Sequence, residues 1–163
     1  MKNLLFEFDV DKIHKTVTVE REFDAPVEKV WAAWTDSSIL DQWWAPKPYR
    51  AETKSQNFRV GGTWMYAMVS PENEYHWCRA DYTAIVPQKK VDWLDAFCDE
   101  KGNINDNFPR SGWKIQFSEN DNTTHVHIVI NHEKLEDLEK IMEMGFREGF
   151  TMGLENLDKY LAK

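Results

Sequence analysis

The chain has 163 residues, of which 42% are hydrophobic and 13% aromatic, a size and composition that fit one domain with a substantial core. Its 28 acidic residues outnumber its 20 Lys and Arg, which leaves a net charge of −8. This acidity argues against a nucleic-acid partner, because binding to phosphates needs a basic face.

The N-terminus does not have the pattern of a signal peptide, and no part of the chain has the pattern of a membrane-spanning helix. The first nine residues already include Glu7 and Asp9, which leaves no room for the apolar core of a signal peptide. No apolar run approaches the roughly 18 residues that a membrane-spanning helix needs. The two cysteines, Cys78 and Cys98, lack CxxC or metal-ligand spacing. We therefore predict reduced thiols and a cytoplasmic protein without a membrane span.

The chain begins with two strands and continues with two short helices. Apolar and polar residues alternate over 6–10 and again over 17–23, which predicts a β-hairpin. Apolar residues at helical spacing then follow Pro26, a residue suited to the first helical position. Asp36 is a suitable cap for a second short helix, which Pro46 would end.

The middle of the chain is predicted to be mainly β, and its end helical. Strands are predicted at about 64–69, 75–86, 90–98, 111–118 and 124–130. An apolar stripe from about Glu133 to Leu161 predicts one long helix. Antiparallel strands with two inserted helices and a long terminal helix indicate an α+β fold in layers.

Five segments resemble one protein superfamily, and they occur in the same order. The opening segment, 21–31, resembles the START-like superfamily, also called SRPBCC or birch-pollen-allergen-like. The others are similar to the branch named after the C-terminal domain of the activator of heat-shock protein 90 ATPase; they are Gln42–Pro46, Phe58–Trp64, Ala80–Pro87 and Gly149–Leu157. The resemblance extends over roughly residues 14–162.

The resemblance implies a helix-grip fold, in which a curved antiparallel sheet wraps around the C-terminal helix and encloses a cavity. We expect one START-like domain over 1–163, with 1–12 as an added N-terminal edge strand. The function that the resemblance favours is binding of a small hydrophobic or aromatic ligand between sheet and helix. Two alternatives stay open: a co-chaperone that activates a chaperone ATPase, and a cyclase- or hydrolase-like enzyme acting on an aromatic or polyketide-like substrate. The oligomeric state stays open as well.

Three glycines in the terminal helix recur every fourth residue, at Gly145, Gly149 and Gly153. Each glycine costs a helix roughly 1 kcal/mol relative to alanine, so the series needs a reason. Either large aromatic side chains of the sheet pack against the bare backbone, or the missing side chains leave room for a ligand.

Aromatic residues at inward-facing positions are the expected ligand contacts, because small-molecule sites are mostly apolar with few polar groups. The predicted binding residues are Trp43, Trp44, Tyr66, Met68, Tyr82, Trp93, Phe97, Trp113, Met142, Gly145, Phe146 and Gly149. The alternative is that these side chains form an ordinary core.

Polar groups inside such a cavity would decide between a binding protein and an enzyme. Asp95 has the same strand parity as Trp93 and Phe97, so it is predicted to point inward, and burial would raise its pKa unless Arg79 or another cation pairs with it. His76 and Arg79 are the other weak candidates for a catalytic role. No GxSxG, P-loop or GxGxxG motif is present, and we predict no cofactor.

His125 and His127 are spaced so that both could reach a metal ion from one face of a strand. They alternate with Val126 and Ile128, so they are predicted to lie opposite the core. Since no third ligand has convincing spacing, we predict exposed histidines and no metal site.

Overall fold

The computed structural model describes residues 4–163, so the first three residues of the predicted N-terminal extension lie outside the described part. Within 4–163 the structure has eight strands and four helices. The strands are β1 (Phe6–Asp11), β2 (Thr16–Phe23), β3 (Arg50–Gln56), β4 (Thr63–Val69), β5 (Tyr75–Val86), β6 (Lys90–Phe97), β7 (Ser111–Asn120) and β8 (Thr123–His132). The helices are α1 (Val27–Thr35), α2 (Ser37–Trp43), α3 (Leu135–Glu143) and α4 (Phe146–Leu161).

The eight strands form one antiparallel sheet in the order β1-β2-β8-β7-β6-β5-β4-β3. β1 pairs only with β2 and lies at one edge, and β3 lies at the other. The sheet curves around the C-terminal helix, which confirms the predicted α+β helix-grip class.

Buried and less buried residues alternate strictly along β2 and β8, so each strand has one buried face. Val17 and Val19 on β2 are fully buried, as are Val126 and Ile128 on β8. The paired register sets Val19 opposite Ile128, so both apolar rows face the same side. A slip of one residue would turn these rows to the solvent, and the core therefore specifies the register.

The two short helices form where the sequence predicted them, with α1 starting one residue after Pro26. Asp36 ends α1 and caps α2, and its carboxylate accepts a hydrogen bond from the Ser38 N–H at 2.9 Å. This contact satisfies one of the unpaired donors at the helix start.

The predicted continuous terminal helix is wrong in one respect, because it is broken into α3 and α4. Gly145 adopts φ +87° between them, in the left-handed region that other residues enter only at a cost. The apolar stripe continues across the break, which is why periodicity alone suggested one helix. Gly145 therefore marks the break between α3 and α4 and is not a helix-interior residue.

β3 was not predicted, since its sequence, RAETKSQ, has almost no apolar alternation. Only Ala51 among its residues is buried. An edge strand needs little apolar surface, and polar side chains on it discourage pairing with another chain.

The C-terminal end of α2 docks directly on α4. The Asn156 side-chain amide donates to the carbonyls of Trp43 and Ala45, at 3.4 and 3.2 Å. A Cβ added at Gly153 would lie only 3.3 Å from the carbonyl oxygen of Trp44. The bare backbone at Gly153 therefore serves close packing, whereas a Cβ at Gly149 would make ordinary contact with Pro46 at 3.6 Å.

Two substitutions at these glycines should have opposite effects on stability. We expect Gly153→Val to lower the free energy of unfolding by roughly 1–3 kcal/mol, because its side chain would push against the α2 backbone. Gly149→Ala should raise it by up to about 1 kcal/mol, because alanine favours helix and its Cβ fits. Urea unfolding monitored by tryptophan fluorescence measures both, and a Gly153→Val variant as stable as the parent chain would contradict the close-packing interpretation.

Candidate functional site

A cavity of about 980 Å³ lies between the concave face of the sheet and the α3–α4 segment. Its inner wall consists of large apolar and aromatic side chains; they include Trp44, Trp93, Trp113, Ile130, Phe146 and Phe150. At the other end its lining includes exposed side chains such as Tyr49, Tyr75 and Met144, which form the mouth. The mouth lies where β4 and β6 end and β5 begins.

Most of the predicted ligand contacts are brought together on this cavity. Those that line it are Trp44, Tyr66, Met68, Trp93, Phe97, Trp113, Gly145, Phe146 and Gly149. They come from the α2 end, from strands β4, β6 and β7, and from the start of α4. Strand parity identified the sheet residues because successive side chains point to opposite faces.

Three of the predicted contacts do not line the cavity. Trp43 is 1% exposed, and its indole N–H donates to the Ala33 carbonyl at 2.8 Å. Tyr82 is also buried, and its hydroxyl accepts a hydrogen bond from the Gln56 side chain at 3.0 Å. Met142 packs against the core, while Ile141 and Met144 of the same segment line the cavity.

Trp44 stands at the junction between the filled core and the cavity. Its ring centroid lies 5.3 Å from that of Trp43 and 5.5 Å from that of Trp64, on the core side. It also lies 5.7 Å from the ring of Trp113, which lines the cavity as Trp44 does. The aromatic residues therefore fill one part of the space under the sheet and enclose another.

Asp95 faces this cavity from β6, and both of its carboxylate oxygens accept hydrogen bonds. The Ser111 N–H donates to Oδ1 at 2.7 Å, and the Trp113 indole N–H donates to Oδ2 at 2.8 Å. Burial nevertheless dominates and raises the pKa of Asp95 from 3.8 to about 6, against the opposing effect of these two donors and of Arg110.

His132 and Ser111 add polar groups that were missed in the sequence. They form a cross-strand pair between β8 and β7, and both line the cavity beside Asp95. His132 Nδ1 lies 3.3 Å from the Lys15 carbonyl, whereas its Nε2 is buried without a hydrogen-bond partner. Burial lowers the pKa of His132. His132 has the same strand parity as Ile128 and Ile130, and this parity could have identified it from the sequence.

Tyr66 and Cys78 form a second polar pair on neighbouring strands β4 and β5. The Trp44 indole N–H donates to the Tyr66 hydroxyl at 3.0 Å. Burial raises the pKa of Tyr66 well above its usual value, and it raises the pKa of the Cys78 thiol to about 12. Both groups are therefore neutral and offer hydrogen bonds without charge.

The other two candidates for a catalytic role lie away from Asp95. His76 is exposed and lines the mouth of the cavity. Arg79 does not line the cavity; it pairs with Asp81 at 2.7 Å and donates to the Gly102 carbonyl at 2.7 Å. The cation near Asp95 is Arg110, whose Nε donates to the Asp95 main-chain carbonyl at 3.0 Å. Of the cations that could have paired with Asp95, Arg110 and not Arg79 is the one that lies near it.

Two solved structures share both sequence and fold with the chain over nearly its whole length. Protein Ms6760 from Mycobacterium smegmatis is 28% identical, with a TM-score of 0.88, and the match covers 98% of this chain and 97% of that protein. A protein from Arthrobacter aurescens is 29% identical, with a TM-score of 0.90, over 96% of this chain and 91% of that one.

A more distant structure shares the fold alone. CalU16 from Micromonospora echinospora is 17% identical, with a TM-score of 0.65, over 98% of this chain and 87% of that protein. No curated protein gives a significant match. Among the helices within 4–163, none is both long and apolar enough to cross a membrane.

The family profile begins directly after β2 and extends past the end of α4, so it includes every helix and strand described above except β1 and β2. It is described as activator of Hsp90 ATPase homolog 1-like protein, and it matches residues 24–162. The chain belongs to this family, within the START-like superfamily.

Proposed function

We propose that the chain binds a small, mainly apolar or aromatic molecule in the cavity between the sheet and the α3–α4 segment. The observation that carries the proposal is the cavity of about 980 Å³, walled by aromatic rings and holding few polar groups. Ligand sites of small molecules typically have volumes of roughly 300–1,000 Å³ and this kind of lining. Burial of apolar surface would supply most of the binding free energy.

The polar groups indicate what else the ligand carries. Asp95, Ser111 and His132 lie together on one wall, and His132 Nε2 has no protein partner. Since Nδ1 donates to the Lys15 carbonyl, Nε2 of the neutral ring is an acceptor, and a buried acceptor without a partner costs free energy. A ligand hydroxyl or N–H that donates to Nε2 would therefore be favoured. We infer a ligand with an aromatic body and at least one hydrogen-bonding group directed at His132.

The enzyme and chaperone roles rank second. Asp95 is the best placed acid, but both its oxygens already accept hydrogen bonds from Ser111 and Trp113, which suits a structural or orienting role. A chaperone role rests on the family description and on no specific contact in the described residues.

A side chain that fills the cavity should prevent binding. Met68 lines the cavity and is half-buried, so Met68→Trp would occupy ligand space, whereas Met152→Trp places the same new side chain on the exposed surface of α4. Using 2-naphthol as the probe, we expect Met68→Trp to weaken binding at least about tenfold, equivalent to roughly 1.4 kcal/mol. Isothermal titration calorimetry measures the affinities.

Met152→Trp should bind 2-naphthol as the parent chain does, and circular dichroism should show both variants folded. Equal affinity in all three proteins, or no binding of 2-naphthol and no co-purifying small molecule in native mass spectra of the parent chain, would refute the cavity as a ligand site.

The raised pKa of Asp95 gives a second test, of the polar wall. In the folded chain this carboxyl binds its proton more tightly than in the unfolded chain, between the unfolded pKa of 3.8 and the folded pKa of about 6. As the pH rises through this window, ionisation of the Asp95 carboxyl therefore lowers the free energy of unfolding by an amount on the order of 3 kcal/mol.

The titration should be visible at the hydrogen-bond partner of Asp95. We expect the Trp113 indole N–H resonance to shift with a midpoint near pH 6, because its acceptor becomes charged. Two-dimensional ¹H–¹⁵N NMR from about pH 3 to 8 measures this midpoint, and Asp95→Asn should abolish the shift. A midpoint near 4 would mean that Asp95 is well solvated and not part of a buried wall.

A further inference from the structure

The outer face of the sheet carries a cluster of three potential metal ligands from two strands. Glu20 lies on β2 directly opposite His127 of β8, and His125 lies two residues before His127. Strand alternation turns all three side chains away from the core row that contains Val126 and Ile128. Both histidines are half-buried, unlike the exposed side chains that the sequence predicted.

The donor atoms have the spacing of ligands around one ion. Glu20 Oε1 lies 3.2 Å from His125 Nε2 and 3.2 Å from His127 Nδ1, and all three atoms lie within 4.8 Å of one another. For metal–ligand distances of about 2.0–2.1 Å, the ligand atoms of a tetrahedral site are roughly 3.3–3.4 Å apart. Small rotations of the side chains would close the remaining gap between the two imidazoles.

One of these nitrogens is not satisfied by the protein. His125 Nε2 is buried and has no hydrogen-bond partner, although it lies 3.2 Å from Glu20 Oε1. Glu20 supplies a carboxylate oxygen 3.2 Å from a nitrogen of each histidine, which places it to serve as the anionic ligand. A cation between the three groups would be bound both by the unpaired nitrogen of His125 and by the negatively charged carboxylate of Glu20.

We propose that Glu20, His125 and His127 bind a divalent transition-metal ion of the Zn²⁺ type on the outer face of the sheet. Two imidazole nitrogens and one carboxylate oxygen favour Zn²⁺, Ni²⁺ or Cu²⁺ over Mg²⁺ and Ca²⁺, which prefer oxygen ligands alone. Three protein ligands leave a fourth position open to water or a small anion.

The fourth position would open into a groove of about 490 Å³ lined by these three residues, by the end of β5 and the start of β6 with the turn between them, and by β7. Gln116 and Ser118 pair across the strands with His127 and His125, and Lys89 and Lys90 add positive charge to the groove. None of the residues that line this groove lines the inner cavity. The metal site is thus separate from the proposed ligand site and is tested separately.

The experiment is calorimetric titration of the full, EDTA-treated and desalted chain with ZnCl₂. We expect one Zn²⁺ per chain, with affinity at least about tenfold lower in His127→Gln and in Glu20→Gln, since each removes one of three ligands. His14→Gln is the matched control, because His14 also contacts a carboxylate, that of Asp11 at 2.7 Å, but has no second histidine beside it. Its affinity should equal that of the parent chain.

A second readout identifies the ligands directly. In ¹H–¹⁵N spectra of the histidine rings, Zn²⁺ should shift His125 and His127 and leave His14 and His132 unchanged. The proposal would be overturned by the absence of binding at millimolar Zn²⁺, by unchanged affinity in folded His127→Gln, or by a thiolate-to-metal band with Co²⁺, which would assign the ion to cysteine.

Discussion

The attachment of the α2 end to α4 is the constraint on which the rest of the structure depends. The carbonyls of Trp43 and Ala45 would be unsatisfied at this helix end, and the buried side chain of Asn156 donates to both. Gly153 lets the two backbones approach so closely that a Cβ there would lie only 3.3 Å from the Trp44 carbonyl oxygen, a tight contact. This contact holds Trp44 in the middle of the aromatic cluster, where it separates the filled core from the cavity.

The cavity has room for two reasons: α4 has a glycine where a side chain would enter it, and the chain changes direction between α3 and α4. Gly149 presents no side chain to the cavity, and the left-handed backbone at Gly145 turns α3 away from the axis of α4. Opposite them, the sheet supplies rings from alternate positions of β4, β6 and β7. The polar wall of Asp95, Ser111 and His132 forms at one end of the sheet, where β6 and β8 end and β7 begins.

The same alternation gives β8 two unrelated surfaces. Its inward row, Val126 to Ile130, belongs to the core, while His125 and His127 meet Glu20 on the outside. The cavity that we propose as the ligand site and the proposed metal site therefore lie on opposite faces of one sheet. The residues that line the outer groove and those that line the inner cavity do not overlap, which makes the two proposals separable by experiment.

The sequence by itself determined most strands, the two short helices and the inward parity of the aromatic residues and of Asp95, because alternation and helical spacing are local properties. It did not reveal β3, whose polar residues have no periodic apolar face, or the break at Gly145, where the apolar stripe continues. The partners of Asp95 and the third residue beside His125 and His127 were decided only by the tertiary structure. Ser111 and Glu20 lie on other strands, and Arg110 directly precedes β7. Only the pairing of the strands brings such distant residues together.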